Sequence, residues 1–235
     1  MKTTCVRLLH KDAYFYIAVL ITIAFSSLFS YYSILRYYSI DATGFDLGIY
    51  SSALFSAIHG GLFYTNLING SFLGNHFSPF MFLLVPAFFI YPHNVTLLVL
   101  QGFAIGLSGI PAYMIFTLIL KDPRYRFIGI LSLIVFEVSP ILAGPISFDF
   151  HLMAFLPLFY LSSVYFLLKK RYFWGSVFIA LSISLHAFFS VIIIFLLISL
   201  YIQKFLSNNK RSDSISEIVY ANCCNLEKIL FIFNP

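Results

Sequence analysis

Residues 13–35 read AYFYIAVLITIAFSSLFSYYSIL, a run without one charged side chain. Coiled as an α-helix, about 23 residues rise roughly 34 Å, enough to cross the ~30 Å hydrocarbon core of a bilayer. Lys2, Arg7 and Lys11 stand just ahead of it. The run is longer than the roughly 7–15 residue apolar core of a signal peptide, and no small-residue cleavage site follows. It reads as an uncleaved signal anchor in the cell membrane, with a cytoplasmic N-terminus. The rest of the chain agrees, since its 235 residues are 60% hydrophobic and 10% charged. A soluble domain is about 25% charged. So few charges cannot solvate the surface of a globule. The expected class is therefore an all-α, polytopic transmembrane helix bundle whose first partner is the lipid bilayer. The net charge of +5 belongs to loop lysines and arginines, and no basic patch with interleaved aromatics points to nucleic acid. Cys5, Cys223 and Cys224 have neither zinc nor disulfide spacing and read as free thiols.

After the first span comes Asp41–Pro79, DATGFDLGIYSSALFSAIHGGLFYTNLINGSFLGNHFSP. It holds Asp41, Asp46, His59, His76 and six of the twelve glycines, between segments that are apolar and aromatic. With Arg36 it forms a first outer loop, residues 36–79. Leu47, Tyr50, Leu54 and Ile58 recur at helical spacing. Thr43 or Asp46 would cap that helix and Gly60-Gly61 would stop it. A helix over Asp46–Ile58 is expected to lie along the membrane interface.

Phe80–Tyr91 is apolar, contains Pro86 and would rise only about 18 Å, so it is expected to dip into the membrane and return. Val95–Leu120 reads as a full span kinked at Pro111. Phe127–Val138 begins another and breaks at Pro140, Gly144 and Pro145. Leu152–Leu168 and Phe173–Ile202 bring the expectation to about five or six membrane helices. The basic loops 121–126 and 169–171 belong in the cytoplasm. Asp46, His76, Asp149 and His151 then share the outer face. Residues 1–202 form the transmembrane domain. Residues 203–235 are a polar tail whose closing apolar run, Leu230–Pro235, reads as the start of a truncated span.

Ionisable side chains at membrane depth are costly and so point to function. Asp46, His76, Asp149 and His151 are the candidate catalytic residues. Two carboxylates and two imidazoles supply either a general base with an oriented partner or the ligands of a divalent metal ion. Each has a plainer reading. Asp149 can cap the helix that follows it, Asp46 can be a first-turn residue, and His76 an interfacial histidine. Glu137 is expected to reach interfacial water. His186, midway along the last apolar run, is expected to be a hydrogen-bonded packing residue.

Several stretches together resemble a known family. They are GFDLGIY (44–50), Gly60-Gly61, GNHFSPFMFLLVPAFFIYP (74–92), LLVLQGFAIGLSGIPAYMIF (97–116) and FDFHLMAFLPL (148–158). Their order and distances resemble the DUF2079 family of predicted membrane proteins, from about Thr43 to Tyr201. That family is placed by distant similarity with the membrane glycosyltransferases of the GT-C type. The resemblance implies a GT-C-like bundle, a polyprenyl-phosphate sugar as donor, and Asp46 as the acidic residue of the first outer loop. His76, Asp149 and His151 match recurrent polar positions of the family. The chain departs from the family at Leu185-His186-Ala187, where an acidic pair is expected, and in being shorter. Other readings remain open: a truncated non-catalytic membrane protein or assembly subunit, or a transporter component with broken helices along a path.

Overall fold

The computed structural model describes residues 2–41, 44–120 and 125–186 and the single positions 194, 195, 198 and 202, with side chains from residue 13 onward. The chain divides into two compact units, Met1–Val191 and Ile192–Pro235, and all elements below lie in the first. Thr43, loop residues 121–124, the tail 203–235 and the side chains of Lys2, Cys5, Arg7 and Lys11 fall outside the described residues.

Helix α1 runs from Lys2 to Tyr38, and its part Ala13–Tyr38 is long and apolar enough to cross a membrane. One flank is buried: Ala18, Thr22, Ser26, Ser30 and Ser33, at helical spacing. Helix α5 (Asn94–Leu107) packs along that flank. Gly102 and Gly106, one turn apart on α5, meet Ser30 and Ser26; a Cβ on either glycine would come within 3.0 Å of serine backbone atoms. Lipid gives helices no hydrophobic reason to associate, so small residues that let two backbones approach supply packing instead. The serine hydroxyls satisfy themselves: Ser26 donates to the Thr22 carbonyl and Ser30 to the Ser26 carbonyl, both at 2.8 Å. The other flank of α1 exposes Leu20, Leu28 and Tyr31 by more than half, a surface suited to lipid.

Helices α5 and α6 (Gly109–Ile119) together make a second membrane-length segment, interrupted at Ser108. Pro111 has no N–H to offer the Leu107 carbonyl, so the ladder fails one turn before the proline. Helices α7 (Arg126–Glu137) and α8 (Pro140–Ile146) form a pair bent by 42°, the expected broken stretch. Glu137, at the bend, does not reach interfacial water. It is 2% exposed, faces Gly109, and neither carboxyl oxygen has a hydrogen-bond partner. A short 3-10 turn (Leu152–Phe155) leads into α9 (Leu156–Leu168), and α10 (Tyr172–Leu185) packs back on α9. Among the described residues, two helices are long enough to cross a membrane, or three if the bent pair counts as one. The others, over 45–58, 81–90, 152–168 and 172–185, are shorter apolar helices. Among the described residues the bundle is all-α apart from one hairpin of two-residue strands, β1 (Tyr64–Thr65) with β2 (Gly70–Ser71).

The expected single helix over Phe173–Ile202 is corrected here. α10 ends at Leu185, and His186 is extended (φ −164°, ψ 135°). The cause lies 107 residues upstream. Ser78 Oγ donates to the Leu185 carbonyl at 2.9 Å, and the Phe80 N–H donates to the Ser184 carbonyl at 3.2 Å. These two carbonyls would otherwise accept from residues four further on, so another segment terminates the helix.

The loop after α1 is built into the bundle. Its helix α2 (Phe45–Ile58) matches the expected position, with one face packed into the bundle. Leu47, Ile49, Tyr50, Ala53 and Leu54 are buried in the largest core, with Phe63, Phe72, Met81, Phe88, Leu97 and Phe150. Gly44, at φ 70°, is the N-cap, so Asp46 sits in the first turn and does not cap. The short helix α3 (Phe72–Asn75) follows the hairpin, then α4 (Met81–Ile90). Ten residues rise about 15 Å and cannot cross a bilayer alone. The chain enters α4 beside the end of α10. It leaves towards Asn94, whose amide donates to Tyr37 Oη at 3.3 Å near the end of α1. Both ends of α4 therefore meet the same end of the bundle.

Candidate functional site

Asp46, Ile49, Tyr50, Ile68, Phe72, Asn75, His76, Ser78, His151, Leu185 and His186 line a cavity of about 100 Å³. Asp46 and Tyr50 are four apart on α2 and so project from one face of it. His76 is the C-cap of α3 and is extended, which directs the chain into the Ser78–Phe80 segment that ends α10. His186 follows as the residue after α10, and the His76 and His186 rings lie 5.4 Å apart between centroids. His151 is the N-cap of the 3-10 turn. Four separate stretches thus deliver three imidazoles, a carboxylate and a phenol to one place.

The His151 ring is held from two sides. Its Nδ1 accepts from the Met153 N–H at 3.2 Å, and its own backbone N–H donates to Gln101 Oε1 at 2.8 Å. Gln101 is fully buried, and its Nε2 donates to the Pro145 carbonyl at 2.9 Å, so one side chain ties α5 to the segment on each side of Asp149. With the Nδ1 lone pair engaged, the neutral ring carries its proton on Nε2 and is a donor. Burial lowers the His151 pKa from its usual 6.5; the Asp46 charge opposes this, and His186 and His76 add to it. Burial raises the Tyr50 pKa strongly. A backbone hydrogen bond with Leu152 opposes the rise, and Asp46 adds to it, so the phenol keeps its proton. The Tyr50 ring packs 4.9 Å from Phe72, 5.1 Å from Phe150 and 5.9 Å from His151. Asp46 supplies the one side-chain carboxyl group of the lining.

The structure brings together three of the four expected residues, Asp46, His76 and His151. Asp149 is buried, at 2% exposure, and is not part of this lining. It is not a cap either, because the cap that follows is His151 itself. Among the described residues no group of three or more His, Cys, Asp or Glu side chains is placed to hold a metal ion. Sequence reading weighed His186 chiefly as a packing residue and did not single out Tyr50 or Gln101. The signals were present: Tyr50 lies one turn from Asp46, Gln101 is the lone amide in an apolar run, and His186 closes a serine-dotted stretch. Arg36 spends its guanidinium on Asp41 Oδ2 at 3.1 Å, the Asp41 carbonyl at 2.6 Å and the Ser147 carbonyl.

These features define a helical membrane protein with a cluster of ionisable groups at one end of its bundle. The chain belongs to the DUF2079 family of predicted membrane proteins, whose profile matches residues 36–232. No curated protein and no solved structure matches it.

Proposed function

We propose that this protein transfers a sugar from a polyprenyl-phosphate donor at the outer membrane face, as a distant GT-C-like glycosyltransferase. The observation that carries this reading is the meeting of Asp46, Tyr50, His76, His151 and His186 around one cavity. Asp46 takes the proton of an acceptor hydroxyl. The acceptor oxygen bonds to the anomeric carbon as that carbon's bond to the phosphate oxygen breaks. The electron pair leaves with the lipid phosphate. The Nε2–H of His151 and the O–H of Tyr50 donate towards the developing charge, and His76 and His186 flank the phosphate. The proton on Asp46 then passes to water. About 100 Å³ fits the reacting groups and not a whole substrate, since ligand pockets run roughly 300–1,000 Å³. The lipid tail and the rest of the acceptor lie outside it.

The test is discharge of radiolabelled polyprenyl-phosphate hexoses by the purified protein in vesicles. Wild type is expected to consume the donor, with Asp46→Asn slower by about 100-fold or more. No consumption above protein-free vesicles, or an unchanged rate in Asp46→Asn, overturns the reading.

A further inference from the structure

Helix α2 has a second cavity on its other side. It measures about 460 Å³ and is lined by Ser51, Ser52, Phe55, Ser56, Tyr64, Thr65, Asn66, Phe88, Pro92 and Asn94. No residue of this lining is ionisable near neutral pH, whereas the first cavity carries a carboxylate and three imidazoles. Both use α2, with Asp46, Ile49 and Tyr50 facing one way and Ser51, Ser52, Phe55 and Ser56 the other.

We infer that this groove binds an uncharged saccharide. Its walls are four aliphatic hydroxyls, the Tyr64 phenol and two carboxamides over aromatic and proline surface, and its volume falls within the ~300–1,000 Å³ of small-molecule sites. The hydroxyls are already oriented. Ser52 Oγ donates to the Ile49 carbonyl at 3.1 Å and also meets Thr65 Oγ1. Ser51 Oγ donates to the Gly48 carbonyl at 3.3 Å, and Ser56 Oγ accepts from the Tyr64 N–H at 3.2 Å. A hydroxyl whose proton is spent on backbone offers lone pairs to a ligand. Ser51 and Ser52 therefore present acceptors to the O–H groups of a polyol. Asn66 is exposed and offers both donor and acceptor. Phe55 and Tyr64, 53% and 46% exposed, flank the opening with ring surface on which the C–H face of a pyranose packs. A phosphate or carboxylate finds no cation here, and a cation finds no carboxylate.

Binding in this groove does not depend on the chemistry assigned to Asp46; only its use as the acceptor subsite rests on that reading. The saccharide is either a free glycan or the headgroup of a neutral glycolipid. The test uses full-length protein in nanodiscs on an array of neutral and anionic glycans, and in parallel with vesicles containing diglucosyl-diacylglycerol. Wild type is expected to retain neutral sugars over sialylated or phosphorylated counterparts. Asn66→Ala and Phe55→Ala, both at exposed positions, are expected to lose at least tenfold in binding, and Asp46→Asn to lose none. Binding on the array assigns a free glycan; binding to vesicles alone assigns a glycolipid headgroup. No binding to either, a preference for anionic sugars, or full binding by both groove variants overturns the inference. A dead Asp46→Asn enzyme that still binds sugar, or an active enzyme with no groove binding, separates this result from the catalytic one.

Discussion

Gln101 shows how one side chain can organise a site it does not enter. Replacing it with leucine leaves the His151 N–H and the Pro145 carbonyl unpaired in a buried setting. Each orphaned group costs about 1–3 kcal/mol, so Gln101→Leu is expected to destabilise by about 2–6 kcal/mol in detergent melts. His151 brings a pH dependence. Its folded value lies below the usual 6.5, so between the two values the unfolded chain binds more protons. Stability is therefore full above about pH 6.5 and falls as pH drops towards the folded value. Melting from about pH 7.5 to 5 is expected to show a steeper fall for wild type than for His151→Gln; equal slopes would contradict the assignment. Site residues were legible where a polar side chain stood in a polar loop, as with Asp46 and His76. His186 was misread because its apolar neighbours imply continued helix, and nothing near it in sequence reveals that Ser78 ends that helix.

The α1–α5 contact is the tightest helix pairing and the most exposed to substitution. Gly102→Leu or Gly106→Leu drives a side chain into Ser30 or Ser26 and is expected to cost about 1–3 kcal/mol or to separate the helices. Gly74→Ala meets open space and serves as the neutral control in the same melting series. At the end of α10, Ser78→Ala removes the donor to the Leu185 carbonyl. It is expected to cost about 1 kcal/mol in stability and, through His186, more in donor discharge than in melting temperature. Apolar run length placed α1, the α5–α6 segment and the α7 break correctly, because a bilayer sets length and proline sets interruption. Run length alone does not place α2. Its moderate amphipathicity suits either a surface or a core, and only packing against α4, α5 and the hairpin decides between them.

At the largest scale described, the cavity and a basic turn sit at opposite ends of α9 and α10. α9 leaves the cavity end at His151 and α10 returns to it at His186, with Lys169-Lys170-Arg171 about 20 Å away at the turn between them. Arg126 begins α7 at that far end, and Ser147 closes α8 near Arg36. A membrane placed across these helices puts both ends of α4 on one side. Single cysteines at Phe77 and Tyr91, both exposed, are expected to react with an impermeant reagent from the side opposite a cysteine at Lys170. Labelling of Phe77 and Tyr91 from different sides would mean that α4 crosses. The overall class was readable from composition alone, whereas the meeting of distant stretches at one cavity was not, since it rests on contacts such as Ser78 with Leu185. That contact also imposes an order on biosynthesis. Asp46 and His76 leave the ribosome more than a hundred residues before His186, so the first loop must wait, already inserted, for the last histidine. Nascent chains stalled short of that point would carry most of the helices and a cavity still lacking one wall.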